Sequence, residues 1–302
     1  MLSKVAERLY WTSRYLERVE NTARLLSVYD QLLYDLPNDI NIGWYNLVEL
    51  NKSDELFHER YRVQSEHNVA KFLLADDTNP NSMLSVLAMV RENVRTTRDA
   101  LPEDSWEMVN EFYIYAKETL NDGIKRSSRH EFLNEIICNC QMIHGMLSST
   151  MRRDAGWQFI KLGQSVERAD MTTRILDAGA TELMKASAEE VQVNLQQVVW
   201  GNVLRSDSAY SAYRRTVKSS ISGPAVANFL LKDPYFPRSL SSCLGQIVNA
   251  AATLPKGETL DFEPEIKALK KIKLDLESDL QQSFRDQLNE IQIRLNKLNM
   301  LI

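Results

Sequence analysis

The sequence is poor in the two residues that interrupt helices. Glycine and proline supply 10 and 8 of the 302 residues, which is about half of the roughly 12% that soluble proteins average. Neither an alternating strand pattern nor a hairpin turn signal occurs. Apolar residues instead recur every three or four positions along most of the chain, which is the spacing of an amphipathic helix. The sequence therefore predicts an all-α fold.

Cysteine and histidine are also scarce. Cys138, Cys140 and Cys243 are odd in number, and the Cys-Asn-Cys spacing fits neither a zinc knuckle nor a redox motif. The four histidines are isolated along the sequence, and each is interpreted as a surface or core residue rather than a base. They are His58, His67, His130 and His144. We therefore expect no disulfide framework, no metal site and no cofactor.

Long hydrophobic runs and a concentration of one charge are missing too. No stretch approaches the roughly 18 consecutive apolar residues of a membrane span, and Lys4, Glu7 and Arg8 lie where a signal peptide needs an apolar run. The 36 basic and 41 acidic side chains give a net charge of −5, and the basic ones are spread along the chain. Nucleic acid binding needs a concentrated basic surface. We expect a cytoplasmic protein that binds neither nucleic acid nor membrane.

No catalytic signature is found. The sequence lacks a Walker A loop, a Gly-x-Gly-x-x-Gly turn, a Gly-x-Ser-x-Gly elbow and a His-Glu-x-x-His helix. We expect that the chain does not use ATP by itself, and the sequence leaves open whether it is an enzyme.

The longest periodic segments predict the largest helices. Residues 3–34 contain no glycine or proline and predict one helix of about nine turns. Residues 264–301 place apolar side chains three or four apart throughout and predict a long amphipathic helix. We interpret residues 1–302 as a single helical domain.

An internal repeat is the most informative feature of the sequence. Residues 16–26 align without gaps to residues 166–176, and both copies read Glu-Arg, then an acid, Thr and Arg. In each copy the last acid precedes the last arginine by four positions, which is the favourable orientation for a helical ion pair. The repeat predicts a duplication, 1–150 and 151–302, and a bundle built around two pseudo-symmetric Glu-Arg helices.

The charged side chains of the two copies form the candidate site. Adjacent residues such as Glu17 and Arg18 diverge by about 100° around a helix, so each needs a partner on another helix or on a ligand. A charged stripe at 91–98 could supply such partners. The cluster is either a structural ion network or a set of guanidinium groups that binds a carboxylate or phosphate. The candidate ligand-binding residues are Arg14, Glu17, Arg18, Asn21, Arg24, Arg91, Glu92, Arg153, Glu167, Arg168, Asp170 and Arg174.

These residues lie in segments that resemble a known family. The opening residues 1–21 read Met-Leu-Ser-x-x-Ala-Glu-x-Leu-Tyr-Trp-x-x-Arg-Tyr-Leu-Glu-Arg-x-Glu-Asn. They resemble the N-terminal signature of the alpha-E family, a bacterial all-helical domain of unknown function. The segments 91–98, 153–157, 167–174 and 229–239 are similar to later blocks of that family, so the resemblance covers essentially the whole chain.

The resemblance implies a set of partners rather than a known reaction. Members of the family are typically encoded beside, or fused to, a circularly permuted ATP-grasp protein, often with a transglutaminase-like cysteine protease nearby. This neighbourhood implies a system that makes amide bonds on a small peptide and later cleaves them. No catalytic residues are established for the family.

Two functions from different classes follow as hypotheses. In the first, the chain is an accessory or co-catalytic partner of the ATP-grasp ligase and binds an anionic peptide or acyl-phosphate intermediate through its Arg/Glu cluster. In the second, it is a transferase in which Glu17 or Glu167 acts as a base. A glutamate beside arginine is normally a poor base, which favours the first. A purely structural helical scaffold is the remaining alternative.

Overall fold

The computed structural model describes residues 3–35, 43–185, 193–254, 262–271 and 282–301. Within these ranges the regular elements are α-helices and one 3-10 turn (Arg98–Ala100), and no strand occurs there. The predicted all-α fold is confirmed. The helices are α1 (Ser3–Asp35), α2 (Asn46–Leu50), α3 (Asp54–Arg60), α4 (Glu66–Leu74), α5 (Met83–Thr96), α6 (Ser105–Glu118), α7 (Leu120–Ile124), α8 (Arg126–Thr150), α9 (Ala155–Lys185), α10 (Val193–Ser206), α11 (Tyr210–Thr216), α12 (Gly223–Lys232), α13 (Leu240–Thr253), α14 (Glu263–Lys271) and α15 (Gln282–Met300).

The long helices lie close to where the apolar periodicity predicts them. The predicted nine-turn helix at the start is α1, which has 33 residues. Helices α14 and α15 cover the described parts of the predicted C-terminal helix, and residues 272–281 between them lie outside the described residues. The chain divides into two compact units, Met1–Gln164 and Ser165–Ile302. The duplication at 1–150 and 151–302 stays a prediction.

In the first unit, α1 packs along α5 and α8, and α6 also packs on α5 and α8. The buried apolar face of α1 includes Leu9, Leu16, Val19 and Leu26. These residues follow one another at intervals of seven, three and seven, so they lie on one side of the helix. The polar stripe described below is interleaved with this face, and the same packing therefore takes both kinds of side chain out of water.

A glycine allows α1 and the first turns of α9 to approach closely. A Cβ atom added at Gly163 would lie 2.2 Å from the backbone oxygen of Tyr10, which is far inside van der Waals contact. Glycine has no Cβ, so it lets the two backbones touch where any other residue would separate them. This approach brings the start of α9 to the polar stripe of α1.

A buried arginine joins four elements of the first unit. The Nη1 atom of Arg129 on α8 donates to Asp30 on α1 at 2.7 Å and to Glu66 on α4 at 2.6 Å. Its Nε and Nη2 atoms donate to the carbonyl oxygens of Gly123 and Ile124 on α7. Arg129 is only 1% exposed. A guanidinium that is buried and bonded in this way stabilises one arrangement of the helices around it.

In the second unit, the remainder of α9 is the central helix. The Asp177 carboxylate on α9 accepts from Arg285 Nε on α15 at 2.7 Å, and Ser165 Oγ lies 3.4 Å from Gln246 on α13. A Cβ added at Gly179 would lie 2.6 Å from a methyl carbon of Val203, so α9 also packs tightly on α10. Helix α12 packs on α10 and α13, and α14 on α15.

A second pair of similar sequence segments occurs, one in each unit. Residues 72–83 and 229–240 share the pattern Phe-Leu-Leu-x-Asp, then Pro-x-Ser. Asp76 accepts from the backbone N–H two residues later at 2.9 Å, and Asp233 does the same at 2.8 Å. The serine of each copy then caps the next helix, α5 or α13. A duplication would leave matches of this kind.

We predict that Gly163→Ala destabilises the protein, because the new methyl group meets backbone of α1 that cannot move aside. The expected loss is about 2 kcal/mol or more of unfolding free energy, in the range of overpacked sites. The matched control is Gly145→Ala on α8, where an added Cβ meets nothing within 4 Å. That change should raise stability by about 0.5–1 kcal/mol. Urea unfolding measures both, and an equal effect of the two substitutions would contradict the close approach.

Candidate functional site

The charged stripe of α1 lies inside the first unit. Glu17 is fully buried, and Arg14, Glu20 and Asn21 are each less than 5% exposed. These residues follow one another at intervals of three, three and one, so one side of the helix presents them together. Charges taken out of water in this way need hydrogen-bonded partners of opposite sign or polar partners, because an orphaned one costs several kcal/mol.

Two other helices bring polar side chains to Glu17. Gln164 at the start of α9 donates to Glu17 Oε1 at 3.0 Å, and His144 Nε2 on α8 lies 3.4 Å from the same oxygen. The Gln164 amide nitrogen is also 3.3 Å from His144 Nδ1. Lys161 Nζ donates to the amide oxygen of Gln164 at 2.6 Å. Although His144 is isolated along the sequence, it is part of this cluster in the fold.

Arg14 lies against aromatic rings at one end of the stripe. Its guanidinium carbon is 5.1 Å from the ring centroid of Trp11 and 5.8 Å from that of Tyr10. Its Nη1 atom also donates to the Tyr10 hydroxyl at 3.5 Å. Planar stacking on aromatic faces suits a guanidinium group better than an ammonium group, so these rings fix the plane of a buried cation.

The two predicted ion pairs form at the same i,i+4 spacing, through different nitrogens of the guanidinium group. Arg24 Nη2 lies 2.6 Å from Glu20, and Arg174 Nε lies 2.8 Å from Asp170. In both pairs the acid is buried, and the arginine side chain keeps 17% or 18% of its surface exposed. The prediction of i,i+4 pairing is confirmed, since this spacing determines the contact within a single helix.

The second copy of the stripe on α9 is buried to a similar degree. Glu167 is 1% exposed and Asp170 is 6% exposed, and Met171, in the place of Asn21, is 4% exposed. Arg168 is half-buried. Thr172, on the same helix, makes a further buried polar contact: its hydroxyl oxygen Oγ1 donates to the carboxylate of Asp207 at 3.1 Å. Both units therefore enclose acidic side chains from the Glu-Arg motif.

Arg18 points away from the buried cluster of the first unit. It is half-buried, and its Nη1 atom donates to Asn81 in the loop before α5 at 2.9 Å. Its guanidinium carbon is also 5.9 Å from the ring centroid of Tyr15. The two members of the Glu-Arg dipeptide thus face different surroundings, as the angle of about 100° between adjacent helical residues requires.

Arg91 on α5 makes its contacts with α6 rather than with the stripe of α1. Its Nε atom donates to Asn110 at 2.8 Å, and its guanidinium carbon is 5.2 Å from the ring centroid of Trp106 and 5.3 Å from that of Tyr113. The structure therefore corrects the expectation that this part of the 91–98 stripe supplies partners to α1. The reason is the packing of α6 on the face of α5 that carries Arg91.

The remaining members of the 91–98 stripe are exposed. Glu92 pairs with Arg95 at 2.7 Å, and both side chains are more than half exposed. The hydrogen bond from Arg95 holds the pKa of Glu92 below its ordinary value. Arg98 lies 4.1 Å above Trp106 at the edge of a surface cavity of about 370 Å³. Exposed pairs of this kind contribute little to stability.

Arg153 also lies apart from the charged stripe of α1. It is exposed, its guanidinium carbon is 3.7 Å from the ring centroid of Trp157, and its Nη2 atom donates to the carbonyl oxygen of Ser148. These contacts connect the end of α8 to the first turn of α9. The structure gives Arg153 a local role at this junction.

His144 could have been found from its position on α8. It lies four residues after Cys140 and three before Leu147, and both of these are buried. A histidine at these intervals falls on the apolar face of the helix, where it needs a polar partner. One ligand atom each from Glu17, Glu20 and His144 lies within 4.8 Å of the other two. These are the described residues that could hold a metal ion.

The sequence matches a family whose function is not named. The model of Alpha-E, described as a predicted alpha-helical domain with a conserved ER motif, matches residues 1–302. Among the described helices, none combines the length and apolar character that crossing a membrane requires.

The curated relatives that match the chain are uncharacterised proteins. Uncharacterised proteins of Mycobacterium bovis and Mycobacterium tuberculosis are each 24% identical to this chain, with 87% of the chain and 31% of the relative covered. The chain therefore spans about a third of the length of these relatives. No solved structure matches the chain.

We predict that Arg24→Met destabilises the protein far more than Arg95→Met. The first change removes a guanidinium from a buried carboxylate and should cost about 3 kcal/mol, as breaking buried pairs does. The second removes it from an exposed carboxylate and should cost less than about 1 kcal/mol. Urea unfolding of both variants measures the difference. If the two losses were equal, the burial of Glu20 would have no energetic consequence.

Proposed function

The chain belongs to the Alpha-E family of helical domains with an ER motif, and from this premise we propose that it is an accessory or co-catalytic partner of an ATP-grasp peptide ligase. In this proposal the protein acts in the cytoplasm and binds an anionic peptide or an acyl-phosphate intermediate. The binding groups are the arginines that the two Glu-Arg helices carry. A transglutaminase-like protease that cleaves the amide product would complete the system.

One donor atom carries the proposal. The Nε–H group of Arg24 is buried and meets no acceptor among the described residues, while Nη2 of the same side chain binds Glu20. A buried donor without an acceptor costs about 1–3 kcal/mol, and such groups in native proteins are rare. An oxygen of a bound carboxylate or phosphate would satisfy this N–H group.

The ion pair with Glu20 also prepares Arg24 for this role. The carboxylate fixes the direction of the guanidinium plane, so little side-chain freedom is lost when a ligand binds. A planar guanidinium offers two parallel N–H groups to a carboxylate or phosphate. In the second unit Arg174 is also paired with the acid four residues before it, but through its Nε atom. The repeat therefore duplicates the ion pair and not the Nε–H group that lacks an acceptor.

The absence of nucleotide-binding motifs from the sequence supports a separate ligase partner. It has no phosphate-binding loop or other nucleotide signature, so the ATP chemistry belongs to the partner. The mycobacterial relatives, in which a sequence like this one makes up about a third of the protein, support a module that works beside other protein segments. An acyl phosphate made by a ligase carries negative charge that arginine recognises.

One observation favours the alternative of a transferase. Glu17 and His144 lie 3.4 Å apart inside the first unit, and a carboxylate beside an imidazole is a common arrangement for proton transfer. Against this, Arg14 lies on the same side of α1, and a glutamate beside arginine is normally a poor base. The accessory role therefore agrees better with the charges around Glu17.

We predict that the ligase reaction needs Arg24. The purified chain is mixed with its ATP-grasp partner, ATP and candidate amino acids, and the amide product is measured by mass spectrometry. Arg24→Lys should raise the substrate KM about 10-fold or more, because a charged hydrogen bond contributes about 1.5–3 kcal/mol. The exposed Arg95→Lys is the matched control and should leave the KM unchanged.

Two results would contradict the proposal or favour its alternative. Full turnover by the ligase without this chain would contradict the accessory role. If Glu167→Gln abolished the product while the complex and the helical circular dichroism signal stayed intact, the transferase would be favoured. The dichroism measurement is needed because removing one member of a buried ion network can unfold a helical protein.

A further inference from the structure

We propose that Glu17, Glu20 and His144 form a binding site for one divalent transition-metal ion inside the first unit. The inference goes beyond the ligase partnership and does not rest on it, because the three ligands belong to this chain alone. No sequence motif indicates the site. It results from the packing of α8 against α1.

The distances between the side chains suit a metal ion. One ligand atom of each residue lies within 4.8 Å of the other two, and His144 Nε2 lies 3.4 Å from Glu17 Oε1. In a tetrahedral zinc site with bonds of about 2.0–2.1 Å, two ligand atoms are separated by about 3.3–3.4 Å. Glu17 and His144 are therefore already at the separation that a shared metal ion requires.

Helix geometry supplies the ligands from two directions. Glu17 and Glu20 are three residues apart, so both carboxylates leave the same face of α1. His144 comes from α8, which packs on that face. Side chains projecting inward from facing helices are the usual way in which helical bundles build metal centres.

Burial distinguishes this cluster from ordinary acidic surface patches. Glu17 is fully buried, Glu20 is 3% exposed, and the side chain of His144 is 14% exposed. Two carboxylates close together in the interior repel each other, and a divalent cation between them would offset both charges. Arg24 Nη2 binds Oε1 of Glu20, and a carboxylate has two oxygens, each of which can serve as a ligand atom.

Gln164 orients the imidazole ring. Its amide nitrogen lies 3.3 Å from His144 Nδ1, so the other ring nitrogen, Nε2, is the one that faces Glu17. A histidine that binds a metal ion through Nε2 carries its proton on Nδ1 and donates it to an oxygen. The Gln164 amide would therefore turn on metal binding, so that its oxygen rather than its nitrogen faces Nδ1. Gln164 also donates to Glu17 and so positions two of the three proposed ligands.

The donor atoms select the class of metal. Two carboxylates and one imidazole form a mixed oxygen and nitrogen set, whereas Mg²⁺ and Ca²⁺ prefer oxygen ligands alone. Copper(I) prefers sulfur, and imidazole with carboxylate suits Mn²⁺, Fe²⁺ and Zn²⁺. We therefore choose Zn²⁺ and Mn²⁺ as probes and Mg²⁺ as the comparison ion.

The test measures metal binding by the full chain alone. Protein treated with EDTA is dialysed against Zn²⁺ or Mn²⁺, and the bound metal is measured by mass spectrometry together with the Mn²⁺ EPR spectrum. We expect one ion per chain and much weaker binding of Mg²⁺. Because loss of an outer contact already lowers metal affinity about 10- to 100-fold, His144→Gln and Glu20→Gln should each lower it more than about 100-fold.

His130 supplies the control for the His144 substitution. His130 lies on the same helix as His144 and is exposed, so His130→Gln should bind metal as the unchanged protein does. Binding of Zn²⁺ and Mn²⁺ no tighter than Mg²⁺, or unchanged binding by a folded His144→Gln variant, would overturn the proposal. Neither result bears on Arg24, so the anion-binding role would stand or fall separately in the ligase assay.

Discussion

The burial of charged side chains within α1 is the constraint on which the rest of the first unit depends. Glu17 and Glu20 lie in the interior, and carboxylates there need hydrogen-bond donors or cations close by. The fold meets this need by bringing His144 and Gln164 to Glu17 from two other helices. That convergence requires close packing, and Gly163 allows it because no Cβ separates α1 from α9.

A buried cluster of this kind has a cost as well as a use. Apolar side chains in its place would pack without any need for charged partners, and they often stabilise a protein more than an ion network does. The motif nevertheless places acids at the same two positions in both halves of the sequence, and each copy holds an arginine that keeps part of its surface exposed. Proteins commonly keep such arrangements for binding or catalysis at the expense of stability.

The sequence predicted those features that local geometry determines. The length of α1 and the i,i+4 pairs follow from spacing within one helix, and both are confirmed. Features that depend on packing between helices were missed. His144 reaches Glu17 only because α8 lies on α1, and Arg91 stacks on side chains of α6 rather than facing α1. The Arg129 network was missed for the same reason, since its acidic partners come from two other helices.

The central claim is that the buried cluster serves binding and is not what holds the fold together. The most direct test is the unfolding free energy of a variant that combines Arg14→Met, Glu17→Met, His144→Leu and Gln164→Met. Urea denaturation should show a stability equal to that of the unchanged protein, or higher by up to about 4 kcal/mol, as when buried ion pairs are replaced by apolar groups. A loss of more than about 3 kcal/mol would identify the cluster as a structural network and contradict the claim.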